Sequence, residues 1–160
     1  MKKEDALNST INTLNVDLLG DLWPGIQLYY PPVKYSPSSG VYESIEAASL
    51  RMKKHAHTTE AHTLIFDLED GCRKKEMSRE LMLHELPLLR ANRPDVAIAI
   101  RVNSFKTVDY EFDMQFIEQV PDCVDAVMLA KAGEVYGASE IKHLTNHLNK
   151  INPSITIQPI

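Results

Sequence analysis

At 160 residues, with 44% hydrophobic and 24% charged residues and a formal net charge of -5, the chain has the composition of one globular domain with a single core. Its acidic balance, with no basic stretch interleaved with aromatics, removes the electrostatic basis for nucleic-acid binding, because phosphate affinity rests on clustered Lys and Arg. No apolar run approaches the roughly 20 residues that span a bilayer, Met1-Lys2-Lys3 runs into Glu4 and Asp5 instead of a signal-peptide core, and Cys72 and Cys123 form no C-x-x-C. A cytoplasmic protein with reduced thiols and no membrane partner is therefore expected.

Residues 1–23 are polar and weakly patterned and read as an N-terminal extension; residues 24–160 read as the domain. Pro24-Gly25 marks a turn, Ile26 to Tyr30 a first strand, and Pro31-Pro32 its end, followed by a loop from Val33 to Gly40. From Val41 the spacing is helical, with Ile45, Ala48, Ser49, Met52 and Ala56 on one face. A strand from about His62 to Leu68 follows, then a helix over Lys75–Asn92 with Met77, Leu81, His84 and Leu88 as its stripe and Pro87 expected to kink or shorten it. The third strand is Val96–Val102. Asp109 is placed as the cap of a helix carrying Phe112, Phe116, Ile117 and Val120. Strand four is Ala126–Ala130, Ser139 precedes a helix with Ile141, Leu144, Leu148 and Ile151, and a fifth strand over Ile155–Ile160 ends abruptly, as if the chain were cut.

The alternation predicts an α/β fold with a mostly parallel sheet. Two architectures fit it: the N-terminal part of a (β/α)₈ TIM barrel, or a five-stranded flavodoxin-like sheet. In the first the opening strand lies at an edge of the sheet; in the second it is central.

Three strands end in charge: Leu64-Ile65-Phe66 in Asp67-Leu68-Glu69-Asp70, Ile98-Ala99-Ile100 in Arg101-Val102-Asn103, and Val127 to Ala130 in Lys131. Parallel sheets bind ligands at the carboxyl ends of their strands, so three acids, an arginine and a lysine are expected at one rim. Clustered carboxylates need a bound cation or raised pKa values, and oxygen-rich groups suit Mg²⁺. Two structural alternatives stay open: Asp70 capping the helix that begins near Arg73, and Glu69 pairing with a basic neighbour. Arg101 offers a donor fork matched to a carboxylate, or an internal salt bridge to Asp67 or Glu69. Lys131 can neutralise an enolate or an acid, or pair with Asp67. His55 and His57 stand about 200° apart on a helix, so a shared metal is not expected there.

The series Asp67-Leu68-Glu69-Asp70, Arg101-Val102-Asn103 and Leu129-Ala130-Lys131-Ala132-Gly133-Glu134 resembles the successive D-L-E-D, R-V-N and L-P-K motifs of the citrate lyase beta-subunit-like, HpcH/HpaI aldolase family. Leu28-Tyr29-Tyr30-Pro31 resembles its first strand, and Ile155 to Ile160 the strand leading to its metal-binding glutamate. The resemblance implies a (β/α)₈ barrel in a homo-trimer or hexamer that uses Mg²⁺ to make or break a carbon–carbon bond. The implied substrates are 3-hydroxy acyl thioesters, citryl- or malyl-CoA-like, yielding a 2-oxo acid such as oxaloacetate or glyoxylate. By the same resemblance Arg101 holds the 2-oxo acid carboxylate, Glu69 and Asp70 orient metal-bound waters, and Lys131 supports the rim. The direct metal ligands are expected beyond Ile160, with none inside the chain. Two departures look mild: Ala130 in place of proline, and Gly71-Cys72 in place of Ala-Val.

Overall fold

Five parallel strands line up in the order in which the chain makes them. A computed structural model describes residues 26–129 and 137–159. Its elements are β1 (Gln27–Tyr30), β2 (Tyr35–Ser36), β3 (Val41–Tyr42), α1 (Ile45–His55), β4 (Thr63–Asp67), α2 (Lys75–Asn92), β5 (Ala97–Val102), α3 (Val108–Gln119), β6 (Ala126–Leu129), α4 (Ala138–Ile151) and β7 (Thr156–Pro159). The main sheet runs β1-β4-β5-β6-β7, every pair parallel, while β2 and β3 make a small antiparallel hairpin.

Two observations decide between the expected architectures. β1 pairs only with β4 and so lies at an edge. All four helices also pack on one face: Met52, Leu86, Ile117 and Leu144 share a cluster with Leu64, Phe66, Ile98, Ile100, Val127 and Leu129. The alternate residues Ile65, Ala99, Ala126 and Met128 form a separate cluster on the opposite face, with no helix residue in it. A flavodoxin-like sheet reverses its strand order and carries helices on both faces. The fold is instead a singly wound parallel β/α repeat, open between β1 and β7 among the described residues. Phe66, Leu64, Ile98 and Ile100 are fully buried, each contributing about 1.5–3 kcal/mol through lost apolar exposure.

Where the elements differ from expectation, local hydrogen bonding accounts for much of it. The segment from Val41 is a strand before it is a helix: Gly40, at φ 71, closes the hairpin, and α1 begins only after Ser44, whose hydroxyl accepts from the Ala47 N–H. Thr107, not Asp109, caps α3, its hydroxyl accepting from the Tyr110 N–H. Gly137 precedes α4 and donates to Glu140, so Ser139 lies inside the first turn. Pro87 sits within α2 without ending it, and the buried face is Leu81, Met82, Glu85, Leu86 and Leu89. His84 and Leu88, placed on the core stripe by spacing, are exposed. Both cysteines are buried and free, and burial pushes the Cys72 and Cys123 thiols up. No helix among the described residues is long and apolar enough to cross a membrane. The extension expected over residues 1–23 lies outside the described residues.

Candidate carboxylate-binding rim

Strand alternation sends Leu64 and Phe66 toward the helices and Ile65 and Asp67 to the other face. Asp67 is registered opposite Arg101, Arg101 opposite Met128, and Met128 opposite Gln158, so Asp67 and Arg101 stand side by side in one row across the sheet near its carboxyl end, with Met128 separating them from Gln158. Arg101 donates from Nε to Asp67 Oδ1 at 2.8 Å and from Nη2 to Oδ2 at 2.7 Å. Its Nη2 also lies 3.4 Å from Glu69 Oε2, and its guanidinium stands 5.9 Å from the Tyr29 ring centre.

Asp67 is the hub. Beyond the two bonds from Arg101, Oδ1 accepts from the Glu69 N–H at 2.9 Å and Oδ2 from the Gly71 N–H at 3.0 Å. Four donors on one nearly buried carboxylate hold it in one orientation and hold the guanidinium against it. Burial works against the charge of Arg101, yet the hydrogen bonds and charge of Asp67, with the charges of Glu69 and Asp70, hold its pKa above the ordinary arginine value.

A second network holds the acidic turn from behind. Asn103 donates from Nδ2 to the Leu68 carbonyl at 2.8 Å and to Asp113 Oδ2 at 2.7 Å, and its backbone N–H reaches the same Oδ2 at 2.8 Å. Arg79 bonds Asp113 Oδ1 at 2.7 Å, and Asp109 joins Arg79 and Lys75, each at 3.4 Å. Lys75 also donates to Asn103 Oδ1. Asp113 is fully buried, and burial raises its pKa against the lowering effect of Asn103 and Arg79. Leu68, between Asp67 and Glu69, is thereby tied from its carbonyl, while its N–H donates to the Arg101 carbonyl at 2.9 Å.

The rim thus brings together three of the five charged residues expected there: Asp67, Glu69 and Arg101 converge. Asp70 follows at the exposed turn; it does not cap α2, which has no side-chain cap. Lys131 and Ala130 lie outside the described residues. The internal salt bridge of Arg101, kept open as an alternative, is present and involves both acids. Asn103, Asp113 and Gly71 were missed as site-builders. The Asp109/Asp113 spacing of one helical turn was the available signal for the middle one.

Mg²⁺ finds no direct cage here: among the described residues no three His, Cys, Asp or Glu side chains gather as a metal-binding group. Asp67 is committed to four donors and Glu69 is paired to Arg101. The arrangement can instead hold an anion. Nε and Nη2 face Asp67, and Arg101 Nη1 has no hydrogen-bond partner among the described residues, so a planar carboxylate can dock end-on.

The opposite rim is built for stability. Asp125 accepts from the Ile98 N–H at 2.7 Å and pairs with Arg90, which also bonds the Val96 carbonyl at 2.9 Å and the Cys123 carbonyl at 3.2 Å.

No curated protein matches the chain. The model of the HpcH/HpaI aldolase/citrate lyase family matches residues 41–152, a span that contains the acidic turn and the Arg101 strand end but neither the first nor the last strand of the sheet. That match covers well over half of the 160 residues, and the chain belongs to the HpcH/HpaI aldolase/citrate lyase family.

Proposed function

We propose that this rim is the carboxylate-holding side of a carbon–carbon lyase site that cleaves or forms a 3-hydroxy acyl thioester with a 2-oxo acid such as oxaloacetate or glyoxylate. The observation that carries the reading is Arg101, a cation locked in one plane by Asp67 with one donor edge left over. In the cleavage direction a base takes the carbinol O–H proton, the carbinol carbon becomes the carbonyl of the 2-oxo acid as the carbon–carbon bond breaks, and the electron pair of that bond passes to the thioester enolate, which then takes up a proton. The part assigned to this chain is to bind and orient. Arg101 takes the carboxylate of the 2-oxo acid, Asp67 fixes the plane of the guanidinium, and the Tyr29 ring flanks it. Glu69 adds negative charge beside Arg101. In the same reading Lys131 supplies compensating positive charge, Mg²⁺ and a CoA thioester belong to the complete reaction, and the protein acts as a homo-oligomer.

The test is titration of the chain with oxaloacetate and with glyoxylate, followed by calorimetry or by the Arg101 side-chain resonance. Saturable binding that moves that resonance supports the reading, and absence of binding by either acid removes it. A second reading is a non-catalytic α/β domain that binds a ligand or a partner; saturable binding that leaves the Arg101 resonance unmoved favours it.

A further inference from the structure

We propose that Asn103 is a positioning residue for Arg101, acting through the peptide group between Leu68 and Glu69 and then through Asp67; the proposal rests on reading Arg101 as the carboxylate holder. The strand ladder between β4 and β5 ends at the Asp67–Arg101 pair, so the turn beyond it needs other ties. Leu68 supplies two. Its N–H donates to the Arg101 carbonyl at 2.9 Å, and its carbonyl accepts from Asn103 Nδ2 at 2.8 Å. That carbonyl shares one planar peptide group with the Glu69 N–H, which points the opposite way and donates to Asp67 Oδ1 at 2.9 Å. The same Oδ1 accepts from Arg101 Nε at 2.8 Å. A single chain of contacts therefore runs from the Asn103 amide to the guanidinium, with a rigid plane in its middle.

The Asn103 amide is itself unable to turn. It is 3% exposed, its Nδ2 and its backbone N–H both donate to Asp113 Oδ2, at 2.7 Å and 2.8 Å, and Lys75 donates to its Oδ1. Reversing the amide would set its oxygen against the Leu68 and Asp113 acceptors and its nitrogen against the Lys75 ammonium. The Leu68 N–H belongs to the preceding peptide group and does not restrain the plane between residues 68 and 69, so the Asn103 side chain holds that plane from its carbonyl end. Without the amide, the Leu68 carbonyl turns to find another donor. The Glu69 N–H turns with it, and Oδ1 of Asp67, the atom that meets Arg101 Nε, loses its backbone donor. Arg101 would then be held by a carboxylate free to swing about its remaining bond from the Gly71 N–H.

The experiment uses the uniformly ¹⁵N-labelled full chain, the variants Asn103→Ala, Asp67→Ala and their combination, Asp125→Ala as a variant weakened at the opposite rim, and oxaloacetate as probe. Without ligand, the Glu69 backbone N–H and the Arg101 Nε–H are expected to exchange slowly with solvent in the wild type and about tenfold faster or more in Asn103→Ala, where the Nε–H signal also moves toward that of free arginine. Oxaloacetate affinity is expected to fall roughly tenfold. Asp125→Ala should leave both signals and the affinity as they are. In the Asp67→Ala background, adding Asn103→Ala should change affinity by less than about twofold, because the route to Arg101 is already cut. A fast-exchanging Glu69 N–H in the wild type, an unchanged Arg101 signal in folded Asn103→Ala, the same changes in Asp125→Ala, or an equal affinity loss in both backgrounds overturns the proposal. Should Asn103→Ala not fold, Asn103→Asp takes its place, since it keeps an oxygen for Lys75 but has no N–H for the Leu68 carbonyl: a retained wild-type Arg101 signal there overturns it as well. A wild type that shows both slow signals but binds no oxaloacetate sinks the functional reading and leaves the positioning role standing.

Discussion

Asp67 and Arg101, on neighbouring parallel strands and in register with each other, join through two parallel N–H···O bonds of 2.8 Å and 2.7 Å. Because the same carboxylate accepts from two backbone N–H groups, the pair is a fixed fitting of the rim, not a transient surface contact.

Arg101→Lys is expected to weaken oxaloacetate binding about tenfold or more. One ammonium cannot reproduce the side-on pair with Asp67 and an end-on pair with a ligand at the same time. Calorimetric titration checks this, with Asp125→Ala as the contrasting variant: that residue sits at the opposite rim, so its loss should lower the melting temperature and leave affinity alone.

Asp113→Ala is expected to destabilise the fold by about 3–5 kcal/mol, since it strands the buried donors of Arg79 and Asn103. Asp113→Asn should also destabilise, because one of its positions becomes an amide donor facing donors. Denaturant melts of the two variants against the wild type provide the measurement. Its raised pKa means that the folded state binds this proton more tightly than the unfolded chain does. That contribution therefore favours the fold at low pH and fades as pH rises through the folded value.

Glu43 should show the opposite sign. Burial raises its pKa, but hydrogen bonds from Arg51 and the Lys34 N–H and their positive charges outweigh that and hold it below its ordinary 4.5. Its stabilisation of the hairpin is present above that value and is lost as pH falls through the lower folded one. Glu43→Gln should flatten the acid limb of the stability–pH curve; an unchanged limb would count against the clamp.

Tyr30 is expected to titrate late. It is 5% exposed, and burial pushes its phenol up to about 12, with Arg51 pulling the other way. Absorbance titration should show a late phase near that value that disappears in Tyr30→Phe. The hydroxyl has no hydrogen-bond partner among the described residues, so the same variant should be neutral or more stable by about 1 kcal/mol.

Much of the rim was legible along the chain because strand periodicity fixes which side chains share a face: the spacing of Asp67 and Glu69 and the position of Arg101 at its strand end were enough to bring them together. Helix faces were read less well. In α2 the apolar residues Leu81, Met82, Leu83, Leu86, Leu88 and Leu89 circle more than one stripe, so spacing alone did not choose between Leu88 and Leu89. Asp109 was read as a cap because Asp suits that place; Thr107, two residues earlier, holds it, which frees Asp109 for Arg79 and Lys75.

Residue order by itself determined the alternating β/α repeat and the identity of the charges at the strand ends, because both follow from local apolar runs and the turns that interrupt them. Tertiary structure decided the rest: that β1 lies at an edge with all helices on one face, that Arg101 is already engaged by Asp67, and that the Gly71 N–H donates to the same carboxylate. Those facts depend on register between strands far apart in the chain and on the closeness of a carboxylate to a backbone N–H four residues on, neither of which local patterning encodes.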